Sequence, residues 1–194
     1  MKIGLYFGSF NPIHIGHMII ANYIVEHTDV EKLWLVVTPH NPHKNKKSLA
    51  GNYDRLHLVN LAIEGNHKLK ASDIEFNLPQ PSYTIDTMTH LAERYPKHEF
   101  ALVMGGDNLA TLPKWKNYEK LISNYQIYVY KRPTHELTDL AQHPNINLCD
   151  APMMDISSSY IRNLIREKKS IKYLVPDRVY EYLQGVTIYN NLEG

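Results

Sequence analysis

Hydrophobic and polar positions along the chain switch between a period of two and a helical period, and the order of the switches predicts the fold. Lys2 to Phe7 reads as a short buried strand, followed by the turn formers Gly8-Ser9-Phe10-Asn11-Pro12. From His17 to Val25 the apolar residues Met18, Ala21, Ile24 and Val25 fall at helical spacing, which gives a strand–turn–helix opening. Leu33 to Thr38 is a continuous apolar run suited to a parallel strand covered on both faces. The polar stretch from Pro39 to Gly51 predicts a loop, and Tyr53 to Ile63 a helix with Leu56, Val59, Ala62 and Ile63 on one face. Leu69 to Phe76 alternates like a strand. Helical spacing returns over Ser82 to Arg94, and Phe100 to Met104 is a further buried strand closed by Gly105-Gly106-Asp107. A helical segment around Tyr118 to Ile122 precedes strands at Gln126 to Tyr130 and Ile146 to Cys149, after which Ser157 to Glu167 and Asp177 to Gln184 read as helices.

Strands alternating with helices predict an α/β fold, a doubly wound parallel sheet of about five strands flanked by helices with a small C-terminal helical portion. No repeat, low-complexity segment or linker divides the sequence, so a single domain over residues 1–194 is expected. In this architecture ligands bind beyond the carboxyl ends of the strands, where the winding direction reverses.

Composition narrows the functional classes. Hydrophobic residues make up 43% and charged residues 21%, which excludes disordered and fibrous classes. The 21 Lys and Arg against 20 Asp and Glu leave a net charge of +1, too little for the broad basic field of a general nucleic-acid binder, so any anion must be captured locally. Cys149 stands alone, so neither an intramolecular disulfide nor a thiolate zinc site is expected, and a cytoplasmic location follows. The apolar runs are too short for a membrane span or a signal peptide. The unusual entry is 11 histidines.

Two of them lie in the segment Gly8-Ser9-Phe10-Asn11-Pro12-Ile13-His14-Ile15-Gly16-His17, between the first strand and the first helix. Gly8 lets backbone approach a ligand, and free N–H groups at the helix start offer hydrogen bonds and partial positive charge to an anion, with phosphate the obvious candidate. His14 and His17 present two ring N–H donors on one side if the turn between them is tight. Capping or core packing is the plain alternative, and a zinc site lacks local Cys, Asp or Glu to complete it. The spacing matches neither the Gly-x-Gly-x-x-Gly fingerprint nor the Walker loop. A second signal, Ile156-Ser157-Ser158-Ser159-Tyr160-Ile161-Arg162, opens a late helix. Its serines cap the helix or donate hydroxyls, and Arg162 shares a face with Ser158, which makes a second anion site.

Together the two motifs resemble the nucleotidyltransferase superfamily of class I aminoacyl-synthetase type, with its His-x-Gly-His turn and late Ile-Ser-Ser-Thr/Ser-x-x-Arg helix, and so imply a Rossmann-like fold. The resemblance implies that His14 and His17 hold the triphosphate and developing charge, and that Ser157, Ser158 and Arg162 hold the β- and γ-phosphates; Gly8, Ser9 and Phe10 belong to the same ATP turn. Further segments, Ser82-Tyr83-Thr84-Ile85-Asp86-Thr87, Met104-Gly105-Gly106-Asp107-Asn108-Leu109, Lys114-Trp115, Lys131-Arg132-Pro133 and Tyr173-Leu174-Val175-Pro176, are similar to signatures of the bacterial nicotinate-nucleotide adenylyltransferase family. That family makes deamido-NAD and pyrophosphate from ATP and nicotinate mononucleotide in NAD biosynthesis. The implied cofactor is Mg²⁺, carried mainly by the ATP phosphates, with no protein metal site. ATP and nicotinate mononucleotide are then the partners, without nucleic acid or membrane, and a homo-oligomeric state is left open.

The residues support these assignments to different degrees. Thr84 and its neighbour Tyr83 begin a helix whose N–H groups could receive a nicotinate carboxylate, while Trp115 offers a flat face for a pyridine or is a core indole. Gly105 and Asp107 end a strand, and Asp107 either accepts ribose hydroxyls or caps the next helix. Arg132 lines the adenosine pocket or is solvated. In the loop His40-Asn41-Pro42-His43-Lys44-Asn45-Lys46-Lys47, which departs from the family pattern, Lys44 is the choice for the mononucleotide phosphate, with Lys46 and Lys47 as alternatives. Two other functions remain in view: an adenylyltransferase for nicotinamide mononucleotide or phosphopantetheine, and a catalytically silent nucleotide-binding module.

Overall fold

The computed structural model describes residues 1–39, 49–131 and 138–190. Its elements run β1 (Lys2–Gly8), α1 (Ile15–His27), β2 (Lys32–Val37), α2 (Asn52–Ala62), β3 (Leu69–Ser72), a 3₁₀ turn (Ile74–Asn77), α3 (Thr84–Arg94), β4 (Glu99–Gly105), α4 (Gly106–Thr111), a second 3₁₀ turn (Leu112–Lys114), α5 (Tyr118–Asn124), β5 (Ile127–Tyr130), β6 (Ile146–Cys149), α6 (Ser158–Arg166) and α7 (Asp177–Gln184). The strands form one parallel sheet in the order β3-β2-β1-β4-β5-β6, six strands where about five were expected. The chain moves outward from β1 to β3, then returns to pair β4 with the other side of β1. The winding therefore reverses between the carboxyl ends of β1 and β4.

Burial follows the strand period. On one face Tyr6, Leu33, Leu35, Val37, Ala101, Val103, Tyr128 and Tyr130 pack with α1, α2, α6 and α7. On the other, Ile3, Leu5, Trp34, Val36, Phe100, Leu102 and Met104 pack with α3, α4 and α5. Both faces are covered, which explains why the strands read as apolar runs.

One expected strand is shorter than its alternation implied. The Leu69–Phe76 pattern is a strand only to Ser72, and Ile74–Asn77 turns as a 3₁₀ helix with Phe76 N–H donating to Asp73 O at 2.8 Å. Two apolar residues two apart satisfy a tight turn as well as a strand when polar residues flank them.

At the opposite end of the sheet from the strand termini that carry the motifs, Lys2 Nζ bridges Asp29 (2.6 Å) and Glu99 (3.2 Å), and the Tyr128 hydroxyl also donates to Asp29. These bonds hold the Asp29 carboxyl below its ordinary range, the Lys2 contact more than the Tyr128 one. A carboxylate with a depressed native pKa adds stability that is present above its unfolded pKa and is lost as pH falls through the native value. We therefore expect Asp29→Asn to destabilise the protein by about 1 kcal/mol at pH 7, a discounted figure for an exposed ion pair. The difference should shrink in urea titrations as pH falls below the unfolded value and vanish only below the native one.

Candidate active site

The Gly8–His17 segment lies at the reversal point, between the end of β1 and the start of α1. Gly8 is required sterically, since a Cβ there would come within 2.8 Å of the Phe10 ring. That ring is 1% exposed, so Phe10 anchors the turn in the core and only its backbone is available to a ligand. Phe10 adopts φ 43°, a left-handed conformation costing a β-unbranched residue on the order of 1 kcal/mol, held by the surrounding packing. Nearby strain of this kind is common where backbone is shaped for a ligand.

His14 is the N-cap of α1 and His17 its third residue. The His14 N–H donates to His17 Nδ1 at 3.2 Å, the job a glutamate does in a capping box, and the two rings lie against each other at a 31° tilt with centroids 3.7 Å apart. This bond assigns Nδ1 as the acceptor, so the neutral His17 ring carries its proton on Nε2. Gly16 eases this approach: a Cβ would lie 3.1 Å from the His14 ring. Phe10 meets the edge of the His17 ring at 5.1 Å, and Tyr6 contacts it from the sheet. Capping and display of ring donors are thus combined in one pair of residues.

The late motif docks on the same turn. Ser157 caps α6, its Oγ accepting from Tyr160 N–H at 3.2 Å. Ser158 Oγ donates to Pro12 O at 2.9 Å. Arg162, 7% exposed, donates from Nη1 to Asn11 O at 2.9 Å and from Nη2 to Ser159 Oγ at 3.2 Å, while its buried Nε has no hydrogen-bond partner. Burial lowers the guanidinium pKa. The start of α1 is also tied to the segment before α7, Ile15 N–H donating to Leu174 O at 3.0 Å.

Beyond the other strand ends, Gly105 is the N-cap of α4 and Asp107 lies in its first turn. A Cβ on Gly105 would strike both the Asp107 carboxylate and the Tyr130 ring, which puts Asp107 back over the ends of β4 and β5. Tyr83 is the N-cap of α3 and Thr84 its first residue. Lys116 sits over the Tyr83 ring at 4.7 Å and bonds Asp86 at 2.8 Å, which draws the Trp115 segment against the start of α3. Trp115 is half-buried, packed on the α3–α5 core with part of the indole accessible. Lys44, with Lys46 and Lys47, and Arg132 lie outside the described residues. Among the described residues no three His, Cys, Asp or Glu side chains converge as a metal site, and no helix is long and apolar enough to cross a membrane.

Two buried ionisable groups near the site had no sequence signal. Arg55 is taken up below. Glu75, 2% exposed, sits in the first 3₁₀ turn, accepts from Thr87 Oγ1 at 2.9 Å and leaves Oε2 unbonded, bracing α3 against the sheet. Burial pushes its carboxyl above the ordinary value, against the lowering effect of the Thr87 and Thr38 hydroxyls. A raised carboxyl contributes stability at low pH that is lost as pH rises through its native pKa. Glu75→Gln should therefore gain on the parent protein between pH 4 and pH 8 in urea unfolding, and a pH-independent difference would contradict that reading.

A doubly wound sheet whose reversal point carries the His14–His17 turn, backed by a second motif with a buried arginine, defines a protein of the nucleotidyltransferase class. The description Cytidylyltransferase-like belongs to the family model that matches residues 5–164. A relative from Flavobacterium johnsoniae is 54% identical over 97% of this chain and 99% of its own, and one from Cytophaga hutchinsonii is 49% identical over 98% and 100%; both bear the name "Probable nicotinate-nucleotide adenylyltransferase". The fold is shared with Plasmodium falciparum nicotinic acid mononucleotide adenylyltransferase complexed with NaAD, at TM-score 0.81, 20% identity and 97% coverage of both chains. The chain belongs to the cytidylyltransferase-like family and, within it, to the nicotinate-nucleotide adenylyltransferases.

Proposed function

We propose that this protein, as a single nucleotidyltransferase domain, transfers the adenylyl group of ATP to nicotinate mononucleotide. A phosphate oxygen of the mononucleotide attacks the α-phosphorus, the bond to the β-phosphate oxygen breaks, and deamido-NAD and pyrophosphate result. The observation that carries this reading is the junction of the two motifs: Ser158 and Arg162 bond the Pro12 and Asn11 carbonyls of the turn that bears the paired His14 and His17 rings.

The attacking phosphate is ionised at neutral pH, so no general base is needed, and the protein's task is to bring two anions together and receive the charge that develops. His17 Nε2–H supplies a donor at the head of α1, supported by His14 and the helix N-terminus. Arg162, with its unused Nε–H, and Ser158 face the departing pyrophosphate. The first N–H groups of α3, at Thr84 and Ile85, precede its first backbone hydrogen bond and suit the nicotinate carboxylate, while Trp115 stacks on the pyridine and Asp107 receives ribose hydroxyls. Lys44 completes the acceptor side and Arg132 the adenosine side. Family members use a divalent cation with ATP; here it would be Mg²⁺ riding on the phosphate oxygens and offsetting the charge of pyrophosphate. A cytoplasmic setting, where ATP is available, fits this chemistry.

The test is to incubate the protein with ATP and Mg²⁺ plus nicotinate or nicotinamide mononucleotide and to follow pyrophosphate and dinucleotide. Faster formation of deamido-NAD is the expected result. No product from either acceptor overturns the activity, and faster reaction of the amide overturns the choice of acceptor.

A further inference from the structure

Arg55 points from α2 into the interior and has no exposed surface. Its guanidinium donates to Ser9 O at 2.6 Å, Thr38 O at 2.9 Å, Ala50 O at 3.0 Å, Pro39 O at 3.4 Å and Asn52 Oδ1 at 2.8 Å. Every acceptor is neutral, and among the described residues no carboxylate pairs with it. Asp54 is adjacent in sequence but off the same helical face. The Tyr189 phenol, in electrostatic reach of both Arg55 and Arg162, is held neutral by burial and offers no counter-charge. A buried charge without a counter-ion costs several kcal/mol of desolvation, so a cross-link alone is a poor reason to keep a guanidinium here.

The geometry has two effects on the turn. In a planar trans peptide the carbonyl and the following N–H point oppositely, so fixing Ser9 O on Arg55 aims the Phe10 N–H away from it. The second effect is a net positive charge directly behind the ends of β1 and β2. Arg162 does the same for Asn11 from the α6 side, so the two guanidiniums divide the turn between them.

We propose that Arg55 is a positioning residue for the two reacting phosphates: it orients the Ser9–Phe10 peptide and supplies positive charge beneath the β1–β2 side of the crevice, as Arg162 does from the α6 side. This rests on the adenylyl transfer proposed above.

The decisive variant is Asn52→Asp. It is isosteric, keeps the 2.8 Å bond to Arg55, and puts a carboxylate in the first turn of α2, where the helix favours it. If Arg55 only braces the fold, melting temperature stays or rises and the kinetics do not change. The proposal expects the same melting behaviour with the KM for nicotinate mononucleotide raised about five- to tenfold, from neutralising a charge several ångströms from the phosphate. The KM for ATP should rise as well, because the two reacting phosphates meet at one turn and a buried charge is screened little. Arg55→Lys, which keeps the charge but loses the fork, should melt lower yet hold the acceptor's KM closer to the parent than Arg55→Met does. Unchanged constants in Asn52→Asp overturn the proposal. Parent protein assayed alongside separates the two ideas: if it forms no deamido-NAD the activity is wrong, and if it does while Asn52→Asp matches it, only the role of Arg55 falls.

Discussion

Replacing His17 by alanine should lower kcat about 100- to 1,000-fold while leaving the KM for ATP within about threefold of the parent, because a donor aimed at developing charge contributes far more to the transition state than to the ground state. The structure makes the case specific to His17. Its Nδ1 is occupied by the His14 N–H, so the ring is held in one tautomer and one orientation before substrate arrives. His17→Gln and His17→Asn separate capping from chemistry: each can accept the His14 N–H, but neither returns a ring donor to the same place. Steady-state kinetics with pyrophosphate release as the readout, together with ATP binding by calorimetry, would settle the matter. A variant that binds ATP weakly yet turns over normally would remove His17 from the mechanism.

Arg162→Met should have a second large effect, of a different kind. The side chain is buried and serves both the Asn11 carbonyl and Ser159 Oγ, so its loss leaves two acceptors unserved and costs about 2–4 kcal/mol of stability. It also removes the donor set assigned to the pyrophosphate half of ATP, so the KM for ATP should rise at least about tenfold and kcat should fall with it, one charged contact being worth that much. Arg162→Lys should recover part of the binding but little of the stability, since one ammonium cannot span both acceptors. Ser158→Ala, which loses the bond to Pro12 O alone, provides the milder comparison at about 1 kcal/mol. Full activity in a folded Arg162→Met protein would exclude a phosphate role for that side chain.

Local signals were strong where the site depends on spacing within one segment. His14, Gly16 and His17 sit close enough in sequence for a single turn to fix their relation, and the helix start at Ile15 supplies the geometry. Ser157 and Ser158 were less separable: one caps α6 and the other crosses to Pro12, a difference that depends on a partner far away in the chain. Arg55 lies beyond such reading altogether. Within the helix pattern of Leu56, Val59 and Ala62 it resembles any surface arginine, and only the convergence of carbonyls from Ser9, Thr38 and Ala50 turns it inward. Glu75 falls inside the alternating Leu69–Phe76 pattern, so its burial beneath α3 has no local signature. The sheet order, too, follows from long-range pairing, although the alternation of strands and helices restricted it to a few topologies.

The bonds from Ser158 and Arg162 to the turn span 146 and 151 positions of the sequence. During synthesis the turn leaves the ribosome long before α6, and its final bracing cannot arrive until α6 has been made. Sheet pairing among β1, β2, β3 and β4 can begin well before then, so nascent chains should acquire a folded scaffold before they acquire affinity for ATP. Nucleotide binding by arrested chains of increasing length would appear abruptly once α6 clears the exit tunnel. On the proposed function, competence for substrate would report that translation has passed the late motif, and incompletely made chains should not sequester ATP.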